Sequence, residues 1–541
     1  MAAVFQIVAE VGGDVGVVFD DQDAHGVRCG VGRSGRGRAR WRGLGRVARV
    51  TVNAIAVDSP ARASFTRGPA DTLQRMSSPW PISLSPSALR ALHAALPPAA
   101  LLLASADRIA YSVDNSKRQA LPLAVALPET AEQVAAVVAV CAEHDLPVTA
   151  RGRGTNTTGA SVPIAGGVAL SFERMRRIVD INTADRYAVV EPGVLNGDLQ
   201  SALAPHGFFW PPDPTSAPYS TIGGNLACNA GGPRAVKYGA CRDNVLALRA
   251  VDGSGHAFRC GAPTSKGAVG FDLTRLLIGS EGTLALITEA TLKLTPLPPL
   301  RRGLRLIYAD IVAAAEAVAR IMAQPMTPCA LEFMDGEALA LVRARGLDLP
   351  PGEALLLVEV DGDADSLERA ATAVARAAEG RGLNDLQVAR DAADSEALWA
   401  ARKALSPALR SLAPKKINED VVVPVSRLPE LIEGVRGLSH QHGIRIVNFG
   451  HAGNGNIHVN LMYDPAEPGR DAAAEACLEG LFGLVIALDG TLSGEHGIGL
   501  AKRPFMRAAI DARTLELMAA VKRAFDPKGL LNPGKLLPDL D

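Results

Sequence analysis

Two glycine-rich segments in the second half of the chain carry the residues best suited to chemistry. Phe449-Gly-His-Ala-Gly-Asn-Gly-Asn-Ile-His458 sets two imidazoles around a turn, and Ser493-Gly-Glu-His-Gly-Ile-Gly499 adds a carboxylate and a third imidazole. Two imidazoles and a carboxylate with an open position are typical ligands for Zn²⁺ or a similar divalent ion. A lone histidine is most often a core residue that has found a partner. Polar side chains grouped among glycines, with Val459-Asn460 running on as a strand, are hard to explain by core packing.

A second kind of site is written in the first half. Arg151-Gly-Arg-Gly-Thr-Asn-Thr-Thr-Gly159 follows an apolar strand, and small residues there let backbone N–H groups converge on an anion. Gly152 and Gly154 fit the first two positions of G-x-G-x-x-G, but Thr157 stands at the third, and no Gly-Lys-Ser/Thr triplet exists for a P-loop. Alone, the segment reads equally as a structural turn. It is followed by Pro211-Pro-Asp-Pro214, by Thr221-Ile-Gly-Gly-Asn-Leu-Ala-Cys-Asn-Ala-Gly-Gly232, and by Gly279-Ser-Glu-Gly-Thr-Leu-Ala-Leu-Ile-Thr288. Three such turns with interleaved Asn and Thr suit one extended polar ligand with a planar head.

Together these segments resemble the FAD-binding domain of the vanillyl-alcohol-oxidase (PCMH-type) flavoproteins, in the branch of D-lactate, glycolate and D-2-hydroxyglutarate dehydrogenases. The resemblance runs from Tyr111 to Pro533. It implies that Gly152, Gly154, Thr155 and Asn156 hold the FAD pyrophosphate. It also implies that Pro212, Thr221, Gly223, Gly224 and Asn225 line the flavin, with Gly282 and Ile287 completing the wall. Residues 151–159 contain no His or Cys, so FAD is expected to be non-covalent. Arg153 departs from the small residue usual in relatives.

The same resemblance implies roles for the second constellation. His451, His458 and Glu495 become ligands of a divalent metal, zinc before manganese; His496 becomes the base that takes the hydroxyl proton, and Asn460 a substrate positioner. Trp399-Ala-Ala-Arg-Lys403 and Lys415-Lys-Ile-Asn-Glu-Asp420 resemble the substrate-binding segments, giving Arg402 as the first carboxylate anchor and Lys416 as the second. The implied reaction converts a small D-2-hydroxy acid to a 2-oxo acid, with hydride passing to the flavin. D-lactate ranks first because no further basic pair is evident for a second carboxylate. D-2-hydroxyglutarate dehydrogenase and glycolate oxidase flavoprotein subunit are the alternatives. A non-catalytic flavin subunit and a metal-dependent hydrolase are the readings from other classes. With no added iron–sulfur spacing, electrons are expected to leave to an external cytochrome, quinone or electron-transfer flavoprotein.

The elements that must position these residues follow from pattern. Thr130 with Gln133 reads as a capping box before a helix burying Val134, Val137, Val138 and Cys141. Strands are expected at Leu146–Ala150, Gly167–Ser171, Tyr187–Glu191, Thr283–Glu289 and Leu292–Thr295. After Pro296-Leu-Pro-Pro299, helices at Ile311–Met322 and Ser366–Ala378 alternate with strands at Ala354–Val360 and Val421–Val425, and a last helix spans Asp511–Phe525. The expected fold is α+β: a PCMH-type two-part FAD domain over 76–297 and an α/β cap with an antiparallel sheet over 298–510. A C-terminal segment over 511–541 should return to the FAD domain.

Composition sets the outer limits. The 541 residues hold 56 basic and 57 acidic groups, net -1, which argues against a polyphosphate-binding surface, and 4% aromatics are too few for base stacking. No nucleic-acid partner is therefore expected. The first 75 residues differ, with 11 Arg against 7 acids, and read as a disordered extension or a mis-assigned start ahead of Met76. No apolar run reaches the ~18–20 residues of a membrane span, and no secretory signal is seen. A cytoplasmic protein is expected, with peripheral association at the inner membrane as the variant.

Overall fold

The computed structural model describes residues 80–409 and 411–539, together with four short strands nearer the N-terminus. Those strands pair antiparallel, Gln6–Ala9 with Val15–Val18 and Arg38–Arg40 with Arg49–Thr51, inside a unit of their own, Met1–Met76. The expectation of an extension or mis-assigned start otherwise lies outside the described residues. Everything below concerns the second unit, Ser77–Asp541.

The helix Ala131–Glu143 starts as its cap predicts. Thr130 Oγ1 accepts from the Gln133 N–H at 3.3 Å, and Val134, Val137, Val138 and Cys141 are all buried. The capping box is shifted, however: Gln133 Oε1 accepts from the Glu129 N–H at 2.7 Å, one residue before the cap. That apolar face shares a core with a four-stranded sheet ordered Leu101–Leu102, Ala124–Ala126, Val168–Ser171, Val148–Arg151. Its last three strands are parallel, so the glycine-rich loop 152–159 leaves a strand at its C-terminal end, where α/β sheets commonly receive ligands.

A five-stranded antiparallel sheet follows, ordered Ala257–Gly261, Val245–Asp252, Ala285–Lys293, Tyr187–Val190, Ile178–Asn182. The two strands expected between Thr283 and Thr295 are one continuous strand, Ala285–Lys293. It is paired along both edges, and that double ladder carries it through the middle residues where the sequence pattern falters.

Beyond Pro296 lies a seven-stranded antiparallel sheet. Its order is Leu383–Val388, Leu300–Tyr308, Ala354–Gly362, Ala330–Asp335, Arg445–Gly450, Asn456–Tyr463, Lys415–Val422. Alternation sends Phe333, Leu356 and Val358 to one face, against helices Ile311–Ala323, Ala364–Ala378 and Leu428–His442. Met334, Leu355 and Leu357 face the other way, with helices Gly336–Ala344 and Ala400–Leu409. The strand expected at Val421–Val425 is instead Lys415–Val422. Pro424, which has no N–H for a ladder, opens a short 3₁₀ turn over Val425–Arg427.

The final helix, Ala512–Phe525, is capped by Asp511. The chain after it lies along the four-stranded sheet, where Val148 N–H donates to Leu530 O at 2.8 Å and Asn532 N–H to Val148 O at 2.7 Å. No helix among the described residues is long and apolar enough to cross a membrane.

Candidate active site

The glycine-rich turns of the first half surround one cavity. Gly152, Thr221, Gly223, Gly224, Gly282 and Ile287 line it. The approach of the turns is close: a Cβ on Gly152 would sit 2.4 Å from Thr221 Oγ1. Thr221 also caps the short helix Ile222–Cys228 by accepting from the Gly224 N–H at 3.2 Å. The wall carries one cation, Arg151, which is buried, lies 5.9 Å from the Tyr111 ring and keeps its Nη1 without a hydrogen-bond partner. Arg153, the residue that stood out in the sequence, is exposed. A backbone cradle with a buried, unspent guanidinium nitrogen suits a pyrophosphate.

Other residues expected at the cofactor hold the cradle from behind. Asn225 Oδ1 accepts from Asn196 Nδ2 at 3.1 Å and its own Nδ2 donates to Ser220 Oγ at 3.1 Å. Pro212 is buried and its carbonyl accepts from Asn196 Nδ2 at 3.0 Å. Gly154, with φ of 66°, lies over the Arg151 guanidinium, and Thr155 is half-buried on the same turn. Asn156 fixes the loop by accepting from the Thr158 and Ala160 N–H groups, and its Nδ2 donates to His496 O at 3.0 Å. The cofactor loop thus touches the second constellation directly.

That constellation is assembled by the cap sheet. His451 leaves the end of strand Arg445–Gly450, His458 lies within strand Asn456–Tyr463, and Glu495 sits on the loop before the C-terminal helices. His451 Nε2 and His458 Nε2 approach Glu495 Oε1 at 3.4 and 3.6 Å. The three ligand atoms lie within 4.8 Å of one another. Both histidines are buried, and His496 stacks on His458 with ring centroids 5.3 Å apart.

Glu332 completes the set without having been visible in the sequence. It is fully buried, accepts from His451 Nδ1 at 2.5 Å, and pairs with Arg402 Nε at 2.8 Å. Burial opposes its ionisation, but His451 and Arg402 outweigh that and hold the carboxyl down at about 2. Burial likewise opposes a charge on His451, yet Glu332 and Glu495 raise it to about 10. Burial and the neighbouring His451 push His458 down to about 3. An imidazole whose second nitrogen is held by a carboxylate is the usual support for a metal-bound histidine, so the donor set fits a Zn²⁺-like ion.

The substrate-side residues divide. Arg402, on helix Ala400–Leu409, reaches the cluster through Glu332, to which its Nε donates at 2.8 Å, and lies 4.7 Å from the Phe449 ring. Lys416 is exposed and opposite Met462, four residues along the strand from Asp420, which is opposite His458. Asn418, two residues on, is opposite Asn460 and donates to its Oδ1 at 2.6 Å. Asn460 is fully buried and spends its Nδ2 on Val447 O and His458 O, so it braces the strands. Of these two amides, it is Asn418 whose Oδ1 is buried without a hydrogen-bond partner. Strand alternation from Asp420 puts Asn418 and Lys416 on one face, and burial separates the two.

Residues 122–261 match the model of the FAD binding domain, and residues 297–536 match that of the FAD linked oxidases, C-terminal domain. The solved p-cresol methylhydroxylase with substrate bound superposes with a TM-score of 0.71 at 19% identity, covering 84% of this chain and 97% of that one. The 4-ethylphenol oxidase from Gulosibacter chungangensis gives 0.67 at 18%, covering 85% and 99%. Fold and cavity therefore define an FAD-dependent oxidoreductase of PCMH type. The chain belongs to the FAD-linked oxidases whose relatives include glycolate oxidase subunit GlcD and D-lactate dehydrogenase. GlcD of Bacillus subtilis (strain 168) is 37% identical over 80% of this chain and 93% of its own length. GlcD of Escherichia coli (strain K12) is 38% identical over 84% and 91%. The D-lactate dehydrogenase of Archaeoglobus fulgidus is 35% identical over 80% and 96%.

Proposed function

We propose that the protein oxidises a small D-2-hydroxy acid, D-lactate first, to the 2-oxo acid and passes the electrons to an external cytochrome, quinone or electron-transfer flavoprotein. The observation that carries the reading is the convergence of His451, His458 and Glu495 beside His496, with Arg402 tied to the same cluster through Glu332. Bound FAD supplies the acceptor for the C2 hydride, and a divalent ion, zinc before manganese, on His451, His458 and Glu495 supplies positive charge for the substrate oxygens.

The chain's own residues do the rest. Arg402 offers terminal N–H groups to the substrate carboxylate while Glu332 fixes its Nε. His496, stacked on His458 beside the cluster, takes the hydroxyl proton on its imidazole. No basic pair for a second carboxylate is evident in the sequence, which favours a short acid such as D-lactate over D-2-hydroxyglutarate. The higher identity to the GlcD subunits, 37–38%, than to D-lactate dehydrogenases, 33–35%, keeps glycolate as the second reading. On this reading, residues 76–297 form the FAD domain, 298–510 the cap that brings metal and base, and 511–541 the returning segment.

The test is turnover with an artificial electron acceptor across D-lactate, L-lactate, glycolate and D-2-hydroxyglutarate. D-lactate should give the highest kcat/KM. His496→Ala should lower kcat by about 10²–10⁴-fold, the usual worth of a general base, while FAD content stays at the wild-type level. An unchanged kcat removes the base assignment.

A further inference from the structure

The carboxylate of Asp420 is the most heavily engaged polar group near the site, and neither substrate nor cofactor residues account for it. Asp420 lies in strand Lys415–Val422, fully buried and opposite His458 in the register. Its Oδ2 accepts from three successive backbone N–H groups, Gly494 at 2.9 Å, Glu495 at 2.7 Å and His496 at 2.9 Å. Ser493 Oγ adds a contact at 3.1 Å, and the buried Lys502 ammonium binds Oδ1. Lys502 is itself held by Leu492 O at 2.9 Å and lies 3.3 Å from Glu419. One carboxylate thus folds the loop that presents both Glu495 and His496.

The same oxygen that meets Lys502 lies 3.4 Å from His496 Nδ1. That nitrogen is buried and makes no hydrogen bond. A buried ring nitrogen with a carboxylate as its nearest charged neighbour is stable when it carries the proton and turns it toward that carboxylate. Nδ1 is then the donor, and Nε2 is left with its lone pair free. The loop cannot easily turn the ring away, because Asn156 Nδ2 holds His496 O at 3.0 Å and Glu281 accepts from the Ile498 and Gly499 N–H groups at 2.6 and 2.8 Å.

We propose that Asp420 is the positioning residue for His496: it fixes the loop through the 494–496 N–H groups and holds the imidazole as the Nδ1–H tautomer, so that Nε2 receives the substrate's hydroxyl proton. The inference rests on the 2-hydroxy acid reading above. In the step itself the O–H bond breaks and its proton goes to Nε2, the C2–H bond breaks and its electron pair leaves as hydride to FAD, and a C=O bond forms. His496 then carries one positive charge, next to the Asp420 carboxylate. Lys502 keeps that carboxylate anchored when the ring is neutral.

Asp420→Asn retains one oxygen for the backbone N–H groups but presents an NH₂ group toward Nδ1, which favours the opposite tautomer. In the FAD-loaded enzyme, the limiting rate of anaerobic flavin reduction by D-lactate should fall about 10²–10⁴-fold, by analogy with tautomer reversal in a hydrolase triad. The half-saturating D-lactate concentration should change less than about threefold, since the substrate's anchors are intact. Asp420→Asn/His496→Ala should be no slower than His496→Ala alone, because the two act as a unit. A limiting rate within about threefold of wild type, or losses that multiply in the double variant, overturns the proposal.

A purely architectural Asp420 would lower FAD content and half-saturation together with the rate. Where Asp420→Asn does not fold, ¹⁵N-histidine spectra of the wild-type holoenzyme at pH 8, with His496 assigned by its loss in His496→Ala, give the answer. A protonated Nδ1 and bare Nε2 are expected, and the reverse tautomer contradicts the assignment. If no 2-hydroxy acid reduces the wild-type flavin, the reaction reading fails, while the tautomer still decides whether Asp420 orients His496.

Discussion

At the scale of single residues, two buried carboxylates do the arranging, and each acts on a histidine. Glu332 takes His451 Nδ1 and Asp420 faces His496 Nδ1, so each histidine can present its Nε2 to the site. Both acids sit in strands with no glycine or histidine beside them, and Asp420 is 76 residues away from His496. Nothing local in sequence marks such a pairing, whereas the His451–His458 and Glu495-His496 segments announce themselves by their glycines. The same distinction bears on Lys416: resemblance nominated it, and it shares a strand face with Asn418 and Asp420, but it is exposed and Asn418 is the residue opposite Asn460. Glu332→Gln should lower Zn²⁺ affinity about 10–100-fold, as loss of a carboxylate behind a metal-bound histidine usually does, measured by competition with a chromogenic chelator. Unchanged affinity would remove Glu332 from the support of the proposed metal ligands.

At the scale of elements, the cofactor cavity depends on turns that leave no room for side chains. A Cβ on Gly223 would lie 2.6 Å from Pro192 Cβ and 3.0 Å from Pro192 O, so the start of helix Ile222–Cys228 cannot shift without disturbing the Thr221 cap. Gly223→Ala should therefore yield protein with markedly less FAD after purification, read from the ratio of flavin to protein absorbance, while the cap sheet keeps its far-ultraviolet signal. Full FAD occupancy would show that the turn has slack. Elements with a strong local code, such as the Thr130-capped helix, were legible in sequence. Boundaries set by pairing partners were not: Ala285–Lys293 is continuous because strands on both sides support it, and Lys415–Val422 stops where Pro424 cannot donate.

At the scale of the whole molecule, the C-terminal return ties the FAD side to the cap. Asn532 Nδ2 donates to Ala160 O and Glu281 O at 2.9 and 2.7 Å, and Leu536 N–H donates to Gly499 O at 3.1 Å. Lys535 is buried in that seam with Asn532 Oδ1 as its hydrogen-bond acceptor. Burial lowers its amine from 10.5 to about 7, despite Asp114 and Glu281 nearby. Between those two values the unfolded chain holds a proton that the folded chain has released, so this group makes stability rise with pH across the window. Below about 7 the burial cost of the ammonium is fully present. Lys535→Met should therefore raise the melting temperature of the FAD-free chain most at pH 6–7, with the gain shrinking toward pH 10. A gain independent of pH would mean that the amine is not displaced by burial. The family and its α+β layout were accessible from the glycine-rich motifs, whereas this seam, which joins residues hundreds of positions apart, was not.

The most direct test of the central claim is anaerobic addition of D-lactate to the FAD-loaded protein, followed by its visible spectrum. The flavin bands should bleach with D-lactate and not with L-lactate. Prior treatment with a chelator should abolish bleaching, and Zn²⁺ should restore it. A flavin that stays oxidised with D-lactate, glycolate and D-2-hydroxyglutarate alike, with metal present, would contradict the account.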